Sequence, residues 1–193
     1  MSFSPLLFFA GIFLWTFVEY FVHGVLSHRR RGFPARAHAS HHRNPGGVFT
    51  SPRAWIPPAL AVFVLFTLAL GLARALPLWT GLITGFALYE LFHWHIHFRT
   101  PRTRWGRRLR AHHLAHHYVN PRAYFGVTTR LWDRLLGSLP ASWPRDYARV
   151  AGRPPTRGRS NFIRFYMPWR ATPLDSQASP AQRDARRGRH VAR

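Results

Sequence analysis

The sequence predicts an all-α integral membrane protein with about three transmembrane helices and a cytoplasmic helical cap that holds a histidine-rich site for two metal ions. Three observations carry this. Three stretches are long and apolar enough to cross a bilayer, the arginines are confined to connectors that alternate between its two sides, and twelve of the thirteen histidines fall into four tight clusters.

The first span is residues 3 to 22 (FSPLLFFAGIFLWTFVEYFV), whose single charge, Glu19, lies near its C-terminal end. About twenty such residues cross a hydrocarbon core. A cleaved signal peptide would look different: the segment lacks a basic leader and runs directly into the first histidine pair. Residues 55 to 73 and 76 to 95 form the second and third spans, with Glu90 the only charge inside them, and a tight hairpin through Arg74 and Ala75 joins the two. Residues 102 to 118 contain no proline and read as a basic helix that Asn120 and Pro121 stop. Residues 126 to 138 read as a second short helix, with Thr128 or Thr129 as N-cap and Gly137 as C-cap. Residues 1–140 are therefore expected to form the membrane domain and 141–193 a basic, partly disordered tail. Within that tail, 161 to 170 interleaves aromatics with arginine, which suits an anionic headgroup surface or an ordinary packed segment equally, and 171 to 193 has a disordered composition.

The net charge of +22 comes wholly from arginine, since the chain has no lysine. Such a balance raises the question of nucleic acid. The placement argues against it: Arg29 to Arg31, Arg36, Arg43 and Arg53 lie between spans one and two, a dense series follows span three, and Arg74 alone marks the hairpin. The positive-inside rule then puts the N-terminus and hairpin tip outside and both basic regions in the cytoplasm. The same topology brings all four histidine clusters to that side. The location expected is the inner membrane of a bacterium, with the site facing the cytoplasm.

Cysteine is absent, so any metal is held by nitrogen and oxygen. His113, His116 and His117 share one helix face, His38, His41 and His42 repeat that spacing, and His93 and His97 stack one turn apart. His23 and His28 are five apart, roughly 140° around a regular helix, so they reach two neighbouring ions or bend together at Gly24. These ten histidines give about five ligands per metal. Glu19 lies four before His23 and Glu90 three before His93, where a carboxylate reaches the far nitrogen of a ligating imidazole. His95 and His112 fall outside the ligand spacing and read as structural or supporting, Asp133 as a surface or capping residue, and His190 as solvated.

These motifs resemble the fatty acid hydroxylase and sterol desaturase superfamily of membrane di-metal oxygenases. The resemblance rests on WTFVEYFVHGVLSH at 15–28, HASHHRNP at 38–45, LYELFHWHIHF at 88–98, and LRAHHLAHHYVN with FGVTTRLWDRLLGS between 109 and 138. It is nearest to the fatty acid 2-hydroxylases, in which FGVTT-x2-WD follows the last triplet. Bacterial-type carotenoid hydroxylases are similar in size but have a four-residue gap in the third motif, where His93 and His97 here enclose three. The resemblance implies that the ten histidines bind two irons, that O2 is activated, and that one oxygen enters a C–H bond of a lipid acyl chain. Eukaryotic members often add an N-terminal haem domain. Here the first span begins almost at Met1, so electrons are expected from a separate ferredoxin or cytochrome. The alternatives are a desaturase or a carotenoid- or sterol-type hydroxylase of the same superfamily and, from another class, a non-redox metal-binding or metal-transport protein. A transporter calls for ionisable groups near mid-membrane, whereas Glu19 and Glu90 lie towards the cytoplasmic ends.

Overall fold

In the computed structural model the described residues are 3–167, and their regular secondary structure is entirely helical. Helix α1 (Pro5–Phe21) opens with Ser4 as N-cap, whose hydroxyl accepts from Leu7 N–H, and with proline at N1, where no intrahelical N–H is lost. It runs without a break into a π-helical turn, Val22–Ser27. Helix α2 (Phe33–Arg43) carries the second histidine group and lies in what reads from sequence as a mere connector. Helices α3 (Pro52–Leu70) and α4 (Leu72–Phe98) follow, then α5 (Arg104–Tyr118), capped by the Thr103 hydroxyl, and three short helices: α6 (Leu131–Leu135), α7 (Trp143–Val150) and α8 (Phe162–Tyr166).

Three helical stretches, Pro5–Ser27, Pro52–Leu70 and Leu72–Phe98, are long and apolar enough to cross a membrane. The expected hairpin through Arg74 and Ala75 is corrected: the break falls at Gly71. Its φ of 74° combined with ψ of 154° is essentially restricted to glycine, and its carbonyl accepts from the N–H of both Arg74 and Ala75, which makes them the first turn of α4. Helix α4 is the membrane scaffold, with α1 and α3 both packed on it. The α1–α4 crossing depends on glycine. A Cβ on Gly11 would collide with the Leu78 carbonyl, and one on Gly81 with the Phe8 carbonyl. Small residues of this kind let backbones approach closely in lipid, where dispersion replaces the hydrophobic effect as the driving force.

At the end of the spans that carries the histidines, α5 and α7 bury a core of Leu114, Ala115, Ala123, Tyr124, Tyr147 and Val150. The buried Arg110 guanidinium of α5 donates to Ile96 O at the end of α4 and to Arg153 O. Packing therefore continues past residue 140 through α7, the start of the stretch read as a tail. The expected helix over 126–138 shortens to Leu131–Leu135, because the N–H groups of 125–128 are taken by carboxylates and the chain there is non-helical. Thr128 caps nothing. The Thr129 hydroxyl accepts from Leu131 N–H, and Gly137, at φ 75°, ends the turn as expected. The segment 171–193 and His190 lie outside the described residues.

Replacing Gly81 by leucine should separate α1 from α4. Overpacking of this kind costs about 1–3 kcal/mol, and it is read as a lower melting temperature of the detergent-purified protein by circular dichroism.

Candidate metal centre

Ten histidines converge in two groups of five. The first is His23, His28, His38, His42 and His116; the second is His41, His93, His97, His113 and His117; within each, the ligand atoms lie within 4.8 Å of one another. The triplets do not act as units. The α2 triplet sends His38 and His42 to the first group and His41 to the second, and the α5 triplet sends His116 to the first and His113 and His117 to the second. The clusters are thus interlocked through α2 and α5, and the His42 and His117 rings stack across the boundary at 4.2 Å.

His23 and His28 reach the same centre. The π turn between them is wider than an α turn and removes most of the angular separation that five residues produce in a regular helix. Gly24 within it makes room for the Phe125 ring, which a Cβ would strike.

The Nε2 atoms are 2.8 Å apart between His28 and His38 and between His42 and His38, 3.0 Å between His23 and His116, and 3.1 Å between His41 and His117. The pairs His93–His113, His97–His113 and His117–His113 are at 3.1, 3.0 and 3.0 Å. Metal–nitrogen bonds of roughly 2.1 Å set 90° apart place neighbouring nitrogens roughly 3.0 Å from each other, whereas a tetrahedron would place them roughly 3.4 Å apart. Five donors at this spacing suit a centre of more than four ligands. The donor set therefore fits two cations.

The opposite edge of the rings sets the tautomer. His23 Nδ1–H donates to Phe125 O at 2.5 Å, His116 Nδ1–H to Ala123 O at 2.8 Å, His41 Nδ1–H to Gly47 O and His93 Nδ1–H to Val48 O, both at 3.2 Å. A proton on Nδ1 leaves the Nε2 lone pair for a metal. The buried His113 Nδ1 has no such partner. Outside the membrane spans, burial holds His38, His41, His42, His113, His116 and His117 below the usual histidine range. Burial and the neighbouring His42 bring His28 down to about 4. These imidazoles are neutral, the ligand form.

The expected contact of Glu19 and Glu90 with histidine is corrected. Among the described residues neither carboxylate hydrogen-bonds an imidazole; each grips a loop whose carbonyl does. Glu19 accepts from Val127 N–H, Thr128 N–H and the Thr128 hydroxyl, which holds the loop that presents Phe125 O to His23. Glu90 accepts from Thr50 N–H and its hydroxyl, which holds the loop that presents Val48 O to His93. Backbone donors outcompete the imidazoles because the loops bring two or more N–H and O–H groups to each carboxylate.

Asp133, read from sequence as a surface or capping residue, is fully buried and does cap, but internally. It accepts from Phe125 N–H and Gly126 N–H, each at 2.8 Å, from the Ser138 hydroxyl at 2.7 Å and from His112 Nε2–H at 3.0 Å. Burial pushes its carboxyl up, yet the His112 hydrogen bond, Ser138 and Gly126 hold it below the usual carboxylate range. His112 stands outside both clusters, as its spacing suggested; its Nδ1 accepts from the Tyr147 hydroxyl at 2.6 Å. Tyr124, at φ 62°, reverses the chain between Ala123 and Phe125, whose carbonyls meet His116 and His23. A non-glycine residue there costs about 1–3 kcal/mol. Its hydroxyl donates to Asp146 and its N–H to Ser138 O, which keep it in place. The FGVTT-x2-WD run was the available sign of this loop, but nothing in residue spacing shows that Asp133 turns inward.

A helical membrane protein with two five-histidine centres at one end of its spans is the class these features define. The chain belongs to the fatty acid hydroxylase family, which it matches over residues 8–138. It is 33% identical over 153 residues to the fatty acid 2-hydroxylase of Macaca fascicularis, covering 72% of this chain and 40% of that protein. It is 31% identical over 144 residues to the dihydroceramide fatty acyl 2-hydroxylase FAH1 of Arabidopsis thaliana, covering 68% and 60%. The chain thus spans about two fifths of the length of the mammalian relative. A solved structure described as full-length scs7p, with only the hydroxylase domain visible, shares the fold at a TM-score of 0.61 and 22% identity, over 79% of this chain and 58% of that one.

Asp133→Ala should strand two buried N–H groups and unseat the Phe125 carbonyl, at a cost of about 2–5 kcal/mol. Elemental analysis should show bound metal lowered towards one ion per chain. Acidification should destabilise the metal-free protein. The folded histidines sit below the unfolded value of 6.5, so between that pH and about 4 for His28 the unfolded chain binds more protons than the folded one, and stability falls with pH. The check is the melting temperature of chelator-treated protein at neutral pH against mildly acidic pH.

Proposed function

We propose that this chain is a membrane-bound, non-haem di-iron oxygenase that hydroxylates a lipid acyl chain with O2 and electrons from a separate ferredoxin or cytochrome-type carrier. The observation that carries the reading is a cavity of about 520 Å³ between α1, α3 and α4, walled by apolar residues such as Val18, Val62 and Phe86, with His23 and His38 of the first cluster at its head. An acyl chain entering from the bilayer fits these walls, and a polar substrate does not. The names of the relatives agree with it.

The ten clustered histidines would hold the two irons, which supply O2 activation when bound. The overall reaction joins R–H, O2, two electrons and two protons into R–OH and water. The apolar walls orient the chain against the first cluster and exclude water from it. The Nδ1–H groups stay on their backbone carbonyls, so the ring protons are not free to move. The arginine distribution supports a cytoplasmic site, in keeping with the sequence-based expectation of a bacterial inner membrane. A metal transporter is disfavoured by the cavity, whose polar wall residues gather at its cytoplasmic head.

The test is elemental analysis of the purified protein with lipid mass spectrometry of an expressing host supplied with iron and O2. About two irons per chain and lipids heavier by one oxygen are expected. Lipids lighter by two hydrogens would make the protein a desaturase, and zinc with unaltered lipids would sink the oxygenase reading. His116→Ala and His113→Ala, one from each cluster, should each lower bound metal towards one per chain and abolish the lipid product.

A further inference from the structure

A second cleft, of about 680 Å³, lies between the cytoplasmic end of α4 and the segment leading into α8. Its floor is Phe49, Trp94, Phe98 and Phe162, and Arg99 and Ser160 stand among its polar residues. The α8 side lies beyond residue 138, outside the stretch that matches the family.

Its depth and charge identify a ligand. Arg99 is the first residue after the α4 span, so the cleft sits where hydrocarbon gives way to headgroups, the level at which tryptophan and arginine anchor to a membrane. Its guanidinium lies 5.4 Å from the centre of the Trp94 ring and has no hydrogen-bond partner among the described residues. It is not needed to cap the helix: the His95 carbonyl accepts from Arg99 N–H, the Ile96 carbonyl from Arg110 Nε–H and the His97 carbonyl from Thr156 N–H. The four acidic residues among those described, Glu19, Glu90, Asp133 and Asp146, are buried, and none lines the cleft. A cationic rim over an aromatic floor, with exposed Leu91 one turn deeper on α4, matches a phosphate with hydrocarbon below it.

We propose that this cleft binds one anionic phospholipid, with its phosphate at Arg99 and an acyl chain running down Trp94 and Leu91. The wall it would press on also serves the second cluster. Thr156 N–H donates to His97 O at 2.7 Å, and Asn161 brackets Phe49 with two hydrogen bonds, at 2.9 and 2.8 Å, one residue before the Thr50 that Glu90 holds. Bound lipid would thereby steady the loop behind His93.

The experiment is native mass spectrometry of the full chain released from nanodiscs of phosphatidylcholine, with and without phosphatidylglycerol. One phosphatidylglycerol retained per chain is expected, reduced several-fold in Arg99→Gln, kept in Arg99→Lys, and kept in Arg108→Gln, which removes an exposed charge on α5. Metal content equal to that of the parent shows that Arg99→Gln is folded. Equal retention of phosphatidylcholine, undiminished retention by Arg99→Gln, or displacement by inorganic phosphate, which would mark a site for a free anion, would each overturn the proposal.

Discussion

Two sets of five imidazole nitrogens, with neighbours in each set about 3 Å apart, are the constraint on which the rest of the structure depends. In the neutral tautomer fixed by the backbone carbonyls, the Nε2 atoms of His23, His116, His41 and His93 present lone pairs that repel, in an interior where water cannot separate them. Protonation does not resolve this, because burial holds the imidazoles neutral. A shared cation does. Binding energy of that kind becomes folding energy when the site exists only in the folded chain, so two bound ions would help a small core hold four helix ends together. The interlocking of the triplets strengthens the effect. Each ion would tie α2 to α5.

The protein spends its scarce carboxylates on geometry. Glu19, Glu90 and Asp133 each collect N–H and O–H groups from a loop and so aim a neighbouring carbonyl at a histidine, and Asp146 holds the hydroxyl of Tyr124, the one non-glycine residue with positive φ among those described. This leaves each metal pocket with neutral nitrogen donors, so two dications would keep most of their charge. Such a centre favours added anionic ligands, a different electrostatic setting from the carboxylate-rich di-iron bundles.

Much of this was legible from spacing. The three spans, the ten clustered histidines and the exclusion of His112 follow from periodicity and charge, which are local properties of the chain. What was not legible is long-range. The division of each triplet between two centres depends on how α2 crosses α5, and the target of each glutamate depends on a loop more than thirty residues away: Thr50 for Glu90, Thr128 for Glu19. The hairpin turns at Gly71, three residues before Arg74, because a positive φ breaks a helix where a single arginine does not. Asp133 illustrates the same limit: an aspartate beside arginine in a short amphipathic run has the pattern of a surface residue until the buried N–H groups of Phe125 and Gly126 are placed against it.

The two clusters are chemically alike yet placed differently. His23 and His38 of the first look into the apolar cavity, and none of the second cluster lines it. The second lies among α2, α4 and α5, with four of its five histidines buried and its loop tied down by Asn161. Two ions in these positions would not be interchangeable: one would face the lipid, and the other would face it only through the His42–His117 stack and the protein between. The asymmetry suits a reaction in which one ion meets the substrate while its neighbour shares charge. It also explains why the loop-holding carboxylates serve both clusters, since a nitrogen displaced at either centre would alter the ion next to it.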